Sequence, residues 1–262
     1  ELSQRNYGDA VRIETDNSIS NFCLDYLLTE FKLEKKDCYL INGPVNLGRL
    51  ITLPDCIENP KLKFKFFSPK YPDYLKGEEV IFDYLKKNDI LLHHPYECFD
   101  VVAEFINNAA EDKNVVAIFQ TIYRTGSTSG LMRSLINAVN KGKEVTVILE
   151  LMARFDEETN INWASKLEEI GAHVVFGVVG NKTHAKMCLI VRQEEKKLVR
   201  YCHLGTGNYH PKTAKLYTDF SLLTSNKPVC AEIHEIFQRL TGLGKVKPLR
   251  NIWQSPFKLH KN

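Results

Sequence analysis

Two arginines and a histidine follow three successive apolar runs at a constant spacing. Arg124 follows the first run, Arg154 the second and His184 the third, and neighbouring members are 30 residues apart. This spacing is about one β-α unit, and ligands of open α/β sheets bind at the carboxyl ends of the strands. Because a guanidinium carries a permanent charge and a fixed fork of donors, it suits phosphate oxygens. The spacing predicts a phosphate site beside an imidazole; the alternative is that each arginine is a solvated loop residue.

Further polar residues accompany this histidine. Lys186 lies two positions after His184 at the start of an apolar strand, so both side chains share one face of the pleat. A His-x-Lys pair alone is weak evidence, because short motifs arise by chance. A glycine-bounded turn that contains Thr206 and Asn208 can present N–H groups to an anion, although a plain strand-end turn has the same composition. The run Tyr217-Thr218-Asp219 then supplies an aromatic face and a carboxylate.

Hydrophobic patterning predicts the elements that position these residues. Uninterrupted apolar runs that alternate with helix-period segments are typical of strands covered on both faces and of right-handed β-α-β units. The predicted strands are 115–123, 144–151, 173–178, 185–192, 198–204 and 216–224. The predicted helices are 99–110, 129–140, 157–170 and 229–240. The pattern therefore predicts an α/β domain with a mostly parallel central sheet flanked by helices.

The N-terminal part of the chain has a different pattern. It contains a predicted amphipathic helix over 19–31, a short strand over 38–41 and a helix-like pattern over 45–53. An aromatic, proline-punctuated stretch at 64–77 follows and indicates a boundary. We therefore predict three parts, namely a partial smaller α/β segment at 1–72, a larger domain at 73–250 and a tail at 251–262.

Composition excludes several classes of protein. With 44% hydrophobic and 26% charged residues, the chain of 262 residues is ordinary for a globular protein and is not disordered. Its net charge of +3 is too small to indicate a nucleic-acid partner. The seven cysteines form no C-x-x-C pair, which argues against a zinc site or a disulfide framework. Without a signal pattern or a transmembrane segment, we expect a cytoplasmic protein, and a peripheral association with a membrane stays open.

Six motifs, taken together, resemble those of the bacterial polyphosphate kinases of the phospholipase-D-like type. In chain order they are 89–96, 120–126, 153–157, 182–186, 205–209 and 216–219. The resemblance extends from about Asp37 to Gly242. It implies that 1–72 is the end of the family's middle domain and that 73–250 is the first of two phospholipase-D-like catalytic domains. The tail would then lead to a second catalytic domain that this chain lacks, and the chain would be a piece of a longer protein.

The resemblance also implies a reaction. In this family the histidine that matches His184 takes the terminal phosphate of ATP as a phosphohistidine and passes it to inorganic polyphosphate, while the reverse reaction makes ATP from ADP. Arg124 and Arg154 match arginines at the Mg²⁺-bound phosphates. Because a guanidinium has no lone pair, we interpret them as phosphate clamps beside Mg²⁺ and not as metal ligands. Tyr217 matches a tyrosine that stacks on adenine, and Lys186 would neutralise phosphate charge.

The chain departs from the superfamily pattern at two points. The aspartate that normally ends the His-x-Lys motif is replaced by Val191, so Asp219 is our hypothesis for the carboxylate that orients the His184 imidazole. The chain carries one His-x-Lys, whereas the superfamily assembles its site from two halves. We therefore expect the segment alone to be inactive or very weak. The resemblance implies that the full-length protein is a homo-oligomer. Two alternatives stay open, a phosphodiesterase of the same superfamily and a non-catalytic module that binds polyphosphate or nucleotide.

Overall fold

The computed structural model describes most of the chain. The described residues are 8–77, 80–124, 126, 129–151, 153, 157–178, 180–242, 248–255 and 259. They belong to two compact units, Glu1–Phe67 and Ser68–Asn262.

The N-terminal unit contains a small parallel sheet and one helix. Strands β1 (Ile13–Asp16) and β2 (Cys38–Ile41) pair in parallel, and helix α1 (Asn21–Glu30) lies between them in the chain. The hydroxyl of Ser20 accepts a hydrogen bond from Cys23 N at 3.2 Å and caps the helix. The helix-like pattern at 45–53 forms a 3₁₀ helix, Leu47–Cys56, and not an α-helix. Pro54 inside it lacks the N–H that an α-helical turn would use.

The second unit is built on a seven-stranded sheet. Its strand order is β3-β9-β8-β7-β4-β5-β6. The strands are β3 (Ile90–His94), β4 (Val115–Ile122), β5 (Glu144–Leu149), β6 (His173–Phe176), β7 (Lys186–Glu194), β8 (Lys197–Gly205) and β9 (Asp219–Thr224). The helices are α2 (Ile81–Leu85), α3 (Asp100–Glu111), α4 (Gly130–Asn140), α5 (Glu157–Glu169), α6 (Pro211–Ala214) and α7 (Lys227–Leu240). The sequence pattern did not predict β3, α2 or α6.

The α/β class is confirmed, but the sheet is mixed and not mostly parallel. Only the β4–β5 and β5–β6 pairs are parallel, and every other neighbouring pair in this sheet is antiparallel. The reason lies in the connections. A parallel pair needs a crossover of a dozen or more residues, usually a helix, whereas β7 and β8 are joined by the tight turn of Glu195 and Lys196. Strands β7 and β8 therefore form a hairpin, and β9 and β3 continue the antiparallel half of the sheet.

Helices cover both faces of the sheet. On β7, Cys188 and Ile190 pack into the core under α2, α3, α4 and α5, while Met187 and Leu189 pack against α7 on the opposite face. This alternation explains why β7 reads as an uninterrupted apolar run, since both faces of the strand are buried. No helix among the described residues is long and apolar enough to cross a membrane.

Strand direction places several polar positions at one edge of the sheet. Strands β3, β4, β5 and β8 end there, whereas the antiparallel strands β7 and β9 begin there. In the register, Lys186 at the start of β7 is paired with Gly205 at the end of β8. Asp219 at the start of β9 is paired with His94 at the end of β3. Residues distant in sequence therefore meet along this edge.

Candidate active site

His184 and Lys186 are in direct contact at the start of β7. The Lys186 ammonium lies 3.0 Å from His184 Nε2 and donates to the His184 carbonyl oxygen at 2.7 Å. His184 is exposed, whereas Lys186 is only 5% exposed. The imidazole therefore faces outward over a cation that is held underneath it.

The ring of Tyr123 packs against the positive groups of the site. It meets the His184 ring edge to face, with centroids 5.0 Å apart and an interplanar angle of 77°. The Lys186 ammonium lies 5.0 Å from the Tyr123 centroid, and the Arg124 guanidinium carbon lies 5.6 Å from it. Because the face of an aromatic ring attracts cations, one side chain stabilises both charges next to the imidazole.

This arrangement changes the acidity of both basic side chains. Burial, followed by the charges of Lys186, Lys182 and Arg124, lowers the pKa of His184 below its ordinary 6.5. Burial lowers the pKa of Lys186 to about 8, and Asp219 opposes that change while Arg124 adds to it. At neutral pH the imidazole is therefore mostly uncharged and the lysine is mostly protonated, so the Nε2 lone pair faces the ammonium.

Helix α5 holds the two loops that precede it. The Asn160 amide donates to the carbonyl oxygens of Tyr123 and Glu150, at 3.0 Å in each case. The Glu150 carboxylate, which is buried, accepts from Thr183 N at 2.6 Å. One helix residue thus fixes the ends of β4 and β5, and Glu150 ties the segment before His184 to β5.

The turn after β8 is packed against the start of β9. Thr206 Oγ1 donates to Asp219 Oδ1 at 2.8 Å and accepts from Phe220 N at 2.9 Å. A Cβ at Gly207 would collide with the Asp219 carboxylate, so the close approach requires glycine. The backbone N–H groups of Gly207 and Asn208 donate to no residue that the structure describes. The turn can therefore offer two backbone donors to an anion next to Lys186.

Comparison with known proteins identifies the family. A family model described as polyphosphate kinase C-terminal domain 1 matches residues 80–246, and one described as polyphosphate kinase middle domain matches residues 1–53. Polyphosphate kinases of Burkholderia lata and of Burkholderia ambifaria MC40-6 are 53% and 54% identical over 264 residues, which cover 99% of this chain. The chain belongs to the polyphosphate kinase family. It spans 38% of the length of these two relatives.

A solved polyphosphate kinase has the same fold. The crystal structure of polyphosphate kinase from Porphyromonas gingivalis superimposes with a TM-score of 0.79 at 24% identity, and the match covers 95% of this chain and 38% of that protein. The family membership that the motifs predicted is confirmed, and so is the α/β fold that the resemblance implied.

The polyphosphate kinase fold brings together part of the predicted site. His184, Lys186 and Arg124 lie around Tyr123, and the turn of Thr206 and Asn208 begins next to Lys186 in the register. Arg154 lies outside the described residues. Tyr217 lies on the loop before β9, and its side chain is 62% exposed. It contacts none of these groups in the described part of the chain, so its proposed role depends on a bound nucleotide.

Asp219 contacts a different partner from the predicted one. Its carboxylate accepts from Thr206, and no hydrogen bond joins it to His184 among the residues that the structure describes. The physical reason is the register, because Asp219 opposes His94 on β3, and β8 separates β9 from β7. Asp219 instead acts at longer range on the charge of Lys186.

Two residues of this site were missed from sequence. Tyr123 directly precedes Arg124, so the rule that selected residues just past a strand could have selected it too. Thr121 is a buried polar residue within the apolar strand β4, and such a residue needs a hydrogen-bond partner. That requirement indicates from sequence that the Thr121 hydroxyl has a hydrogen-bond partner. It does not identify the partner.

Proposed function

We propose that this chain carries the phosphohistidine of a polyphosphate kinase, at His184. The reaction is the reversible transfer of the terminal phosphate of ATP to inorganic polyphosphate. The proposal is supported by family membership and by one geometric observation, the 3.0 Å contact between His184 Nε2 and the Lys186 ammonium. That contact joins an imidazole of lowered pKa to a cation that can attract a phosphate.

The transfer proceeds in two displacements. A nitrogen of the neutral His184 imidazole attacks the terminal phosphorus of ATP, and the bond from that phosphorus to the bridging oxygen breaks. ADP leaves with the bonding electrons. A terminal oxygen of polyphosphate then attacks the phosphorus, the P–N bond breaks, and the imidazole recovers its lone pair. Covalent catalysis of this kind divides one difficult step into two easier ones.

Cations around the nucleophile serve the transferring group. Lys186 and Arg124 stabilise the negative charge on the phosphoryl oxygens. We assign the same role to Arg154 because of its position in the matched motif. Mg²⁺ enters with ATP as part of the substrate, with phosphate oxygens as ligands. The turn of Thr206 and Asn208 offers backbone donors to phosphate.

Two assignments at the edge of this site complete the proposal. Tyr217 stacks on adenine. Asp219 maintains the charged form of Lys186 because it raises the pKa of that lysine. The Asp219 carboxylate, which we had assigned to the His184 imidazole, thus acts on the Lys186 ammonium.

We also infer how the chain is divided within the longer relatives. Residues 1–72 correspond to the end of the middle domain, 73–250 to the first catalytic domain, and 251–262 lead towards a second one. The family matches at 1–53 and 80–246 support this division. We propose that the full-length protein is a homo-oligomer and that the segment alone transfers phosphate very weakly.

The decisive experiment is phosphoryl labelling. The chain is incubated with Mg²⁺ and γ-labelled ATP, first alone and then as part of a chimaera. In the chimaera, this chain replaces the corresponding segment of the full-length B. ambifaria relative, which is 54% identical. An acid-labile, base-stable label is expected that moves to polyphosphate and is absent in His184→Gln and His184→Ala. Polyphosphate synthesis that continues unchanged in both variants would show that His184 is not the nucleophile. Absence of any label in the chimaera would contradict the phosphohistidine itself.

A further inference from the structure

We propose that Thr121 is a positioning residue for the phosphoryl-transfer site, because its hydroxyl fixes the backbone on both sides of Lys186. The inference rests on the proposed function of His184 and goes beyond it. Thr121 is not placed to contact the reacting atoms. It acts through the segment that carries Lys186 and His184.

The hydroxyl of Thr121 makes hydrogen bonds to both neighbours of Lys186. It donates to Ala185 O at 2.8 Å and accepts from Met187 N at 2.9 Å. Thr121 is 2% exposed, so its hydroxyl is shielded from water. A single buried oxygen therefore holds the carbonyl before Lys186 and the N–H after it.

This contact lies where the regular ladder between β4 and β7 ends. The last paired residues of that ladder are Gln120 and Cys188. The next residue on β4 is Thr121, and there a side-chain hydroxyl takes the place of backbone pairing. On the other side, Lys186 is paired with Gly205 of β8. Without the hydroxyl, β4 would hold this part of β7 by the longer hydrogen bond from the Gln120 amide to Met187 O at 3.4 Å.

Fixing Lys186 also fixes His184. The Lys186 ammonium contacts both the carbonyl oxygen and Nε2 of His184, at 2.7 and 3.0 Å. Thr121 precedes Tyr123 by two residues and Arg124 by three, so the same strand end carries the aromatic ring and the guanidinium. The hydroxyl thereby sets the distance between the Lys186 ammonium at the start of β7 and the Arg124 guanidinium after the end of β4. A misplacement of about 1 Å in such a site can cost about a hundredfold in rate.

The test compares Thr121→Val with Thr121→Ser. Valine keeps the branched shape and removes both hydrogen bonds, whereas serine keeps the hydroxyl. We expect the valine variant to label His184 about ten to a hundred times more slowly in the chimaera, with the serine variant close to wild type. Thermal unfolding establishes that each variant is folded at the assay temperature.

A second readout does not depend on activity. The pKa of His184 is followed by NMR titration of its ring C–H resonance in the chain itself, assigned with His184→Gln. Lys186, Lys182 and Arg124 are the charged groups that lower this pKa. Displacement of Lys186 in the valine variant should raise it towards the ordinary histidine value, and serine should leave it low.

The outcomes separate the two proposals. A wild-type chimaera that forms no label contradicts the proposed function, while the NMR titration still tests the position of Lys186. A wild-type chimaera that labels normally, together with a valine variant whose His184 pKa and labelling rate equal those of serine, overturns the role of Thr121 alone. A loss shared equally by valine and serine also overturns it, because the hydroxyl would then not be the group that matters.

Discussion

The two ends of strand β7 carry basic residues in opposite environments. At the edge with the candidate site, Lys186 is 5% exposed and forms no ion pair with a carboxylate in the described part of the chain. At the far end, Arg192 donates to Asp112 at 2.7 Å and to Glu194 at 2.8 Å. Lys186 is the first residue of β7 and Arg192 lies two residues before its end, so the strand itself does not explain the difference.

The acidity of the two cations follows their partners. Burial lowers the pKa of Lys186 to about 8. Burial would also lower the pKa of Arg192, but its hydrogen bonds and charge interactions with Asp112 and Glu194 outweigh that effect and raise it. The arginine is neutralised within the protein, whereas the charge of the lysine is left for a ligand. An uncompensated buried cation is costly for folding and useful for binding phosphate.

The largest effect on labelling is expected when Lys186, whose charge is left for a ligand, is replaced. Lys186→Met should slow phosphoryl labelling of His184 by about 10²–10³-fold, since the loss of one preorganised charge-stabilising group typically costs this much. Labelling is measured in the chimaera with a short time course. Arg192→Gln, assayed below its unfolding temperature, is the matched control and should label at nearly the wild-type rate. Equal losses in both variants would contradict the distinction between the two ends.

At the Arg192 end of β7, the expected effect of a substitution is on stability and not on labelling. Asp112→Asn should lower the free energy of unfolding by about 2 kcal/mol, because it weakens the pairing of a mostly buried arginine. Urea denaturation at pH 7 measures this value. Asp83→Asn, which removes the partner of an exposed pair with Lys86, should change stability by less than about 0.5 kcal/mol. If Asp112→Asn lowered the free energy of unfolding no more than Asp83→Asn does, the ion pairs of Arg192 would not stabilise the fold.

The buried lysine predicts a specific pH dependence of stability. Its pKa is about 8 in the folded chain against an ordinary 10.5, so between these pH values the unfolded chain binds more protons and stability rises with pH. Lys186→Met should therefore be more stable than wild type by about 2 kcal/mol below pH 8, which is the penalty that the lowered pKa implies after reduction for screening by solvent. This advantage should shrink as the pH rises towards 10.5. Urea denaturation of both proteins from pH 7 to 10 checks it, and a constant difference would contradict it.

The smallest expected effect concerns Asp219, whose carboxylate acts on the charge of Lys186. Asp219→Asn should lower the pKa of Lys186 further, because the charge of Asp219 raises it. NMR titration of the lysine Cε resonance, assigned with Lys186→Met, measures the change. Thr206→Val is the control, since it removes the hydrogen bond to Asp219 and leaves the charge. An unchanged pKa in Asp219→Asn would remove Asp219 from the electrostatics of the site.

Much of the fold could be predicted because long apolar runs and helix-period segments are local signals. The strands from β4 to β9 and the helices α3, α4, α5 and α7 were all indicated by such runs. Strands β1 and β3 and the short helices α2 and α6 were missed. Each of them spans only four or five residues, which gives periodicity little to detect.

The sequence by itself determined the family, the α/β class and the chemical types at the site. Motifs are local, and Arg124 and His184 follow apolar runs whatever the pairing of those runs. Only the tertiary structure decided which groups touch. Strands β4, β5 and β6 are parallel and end at one edge of the sheet, and β7 begins at that edge because it runs antiparallel to β4. That direction places Lys186 beneath His184 and against Tyr123, and it gives the Asp219 carboxylate to Thr206, because contacts across strands depend on register and register is a property of the whole sheet.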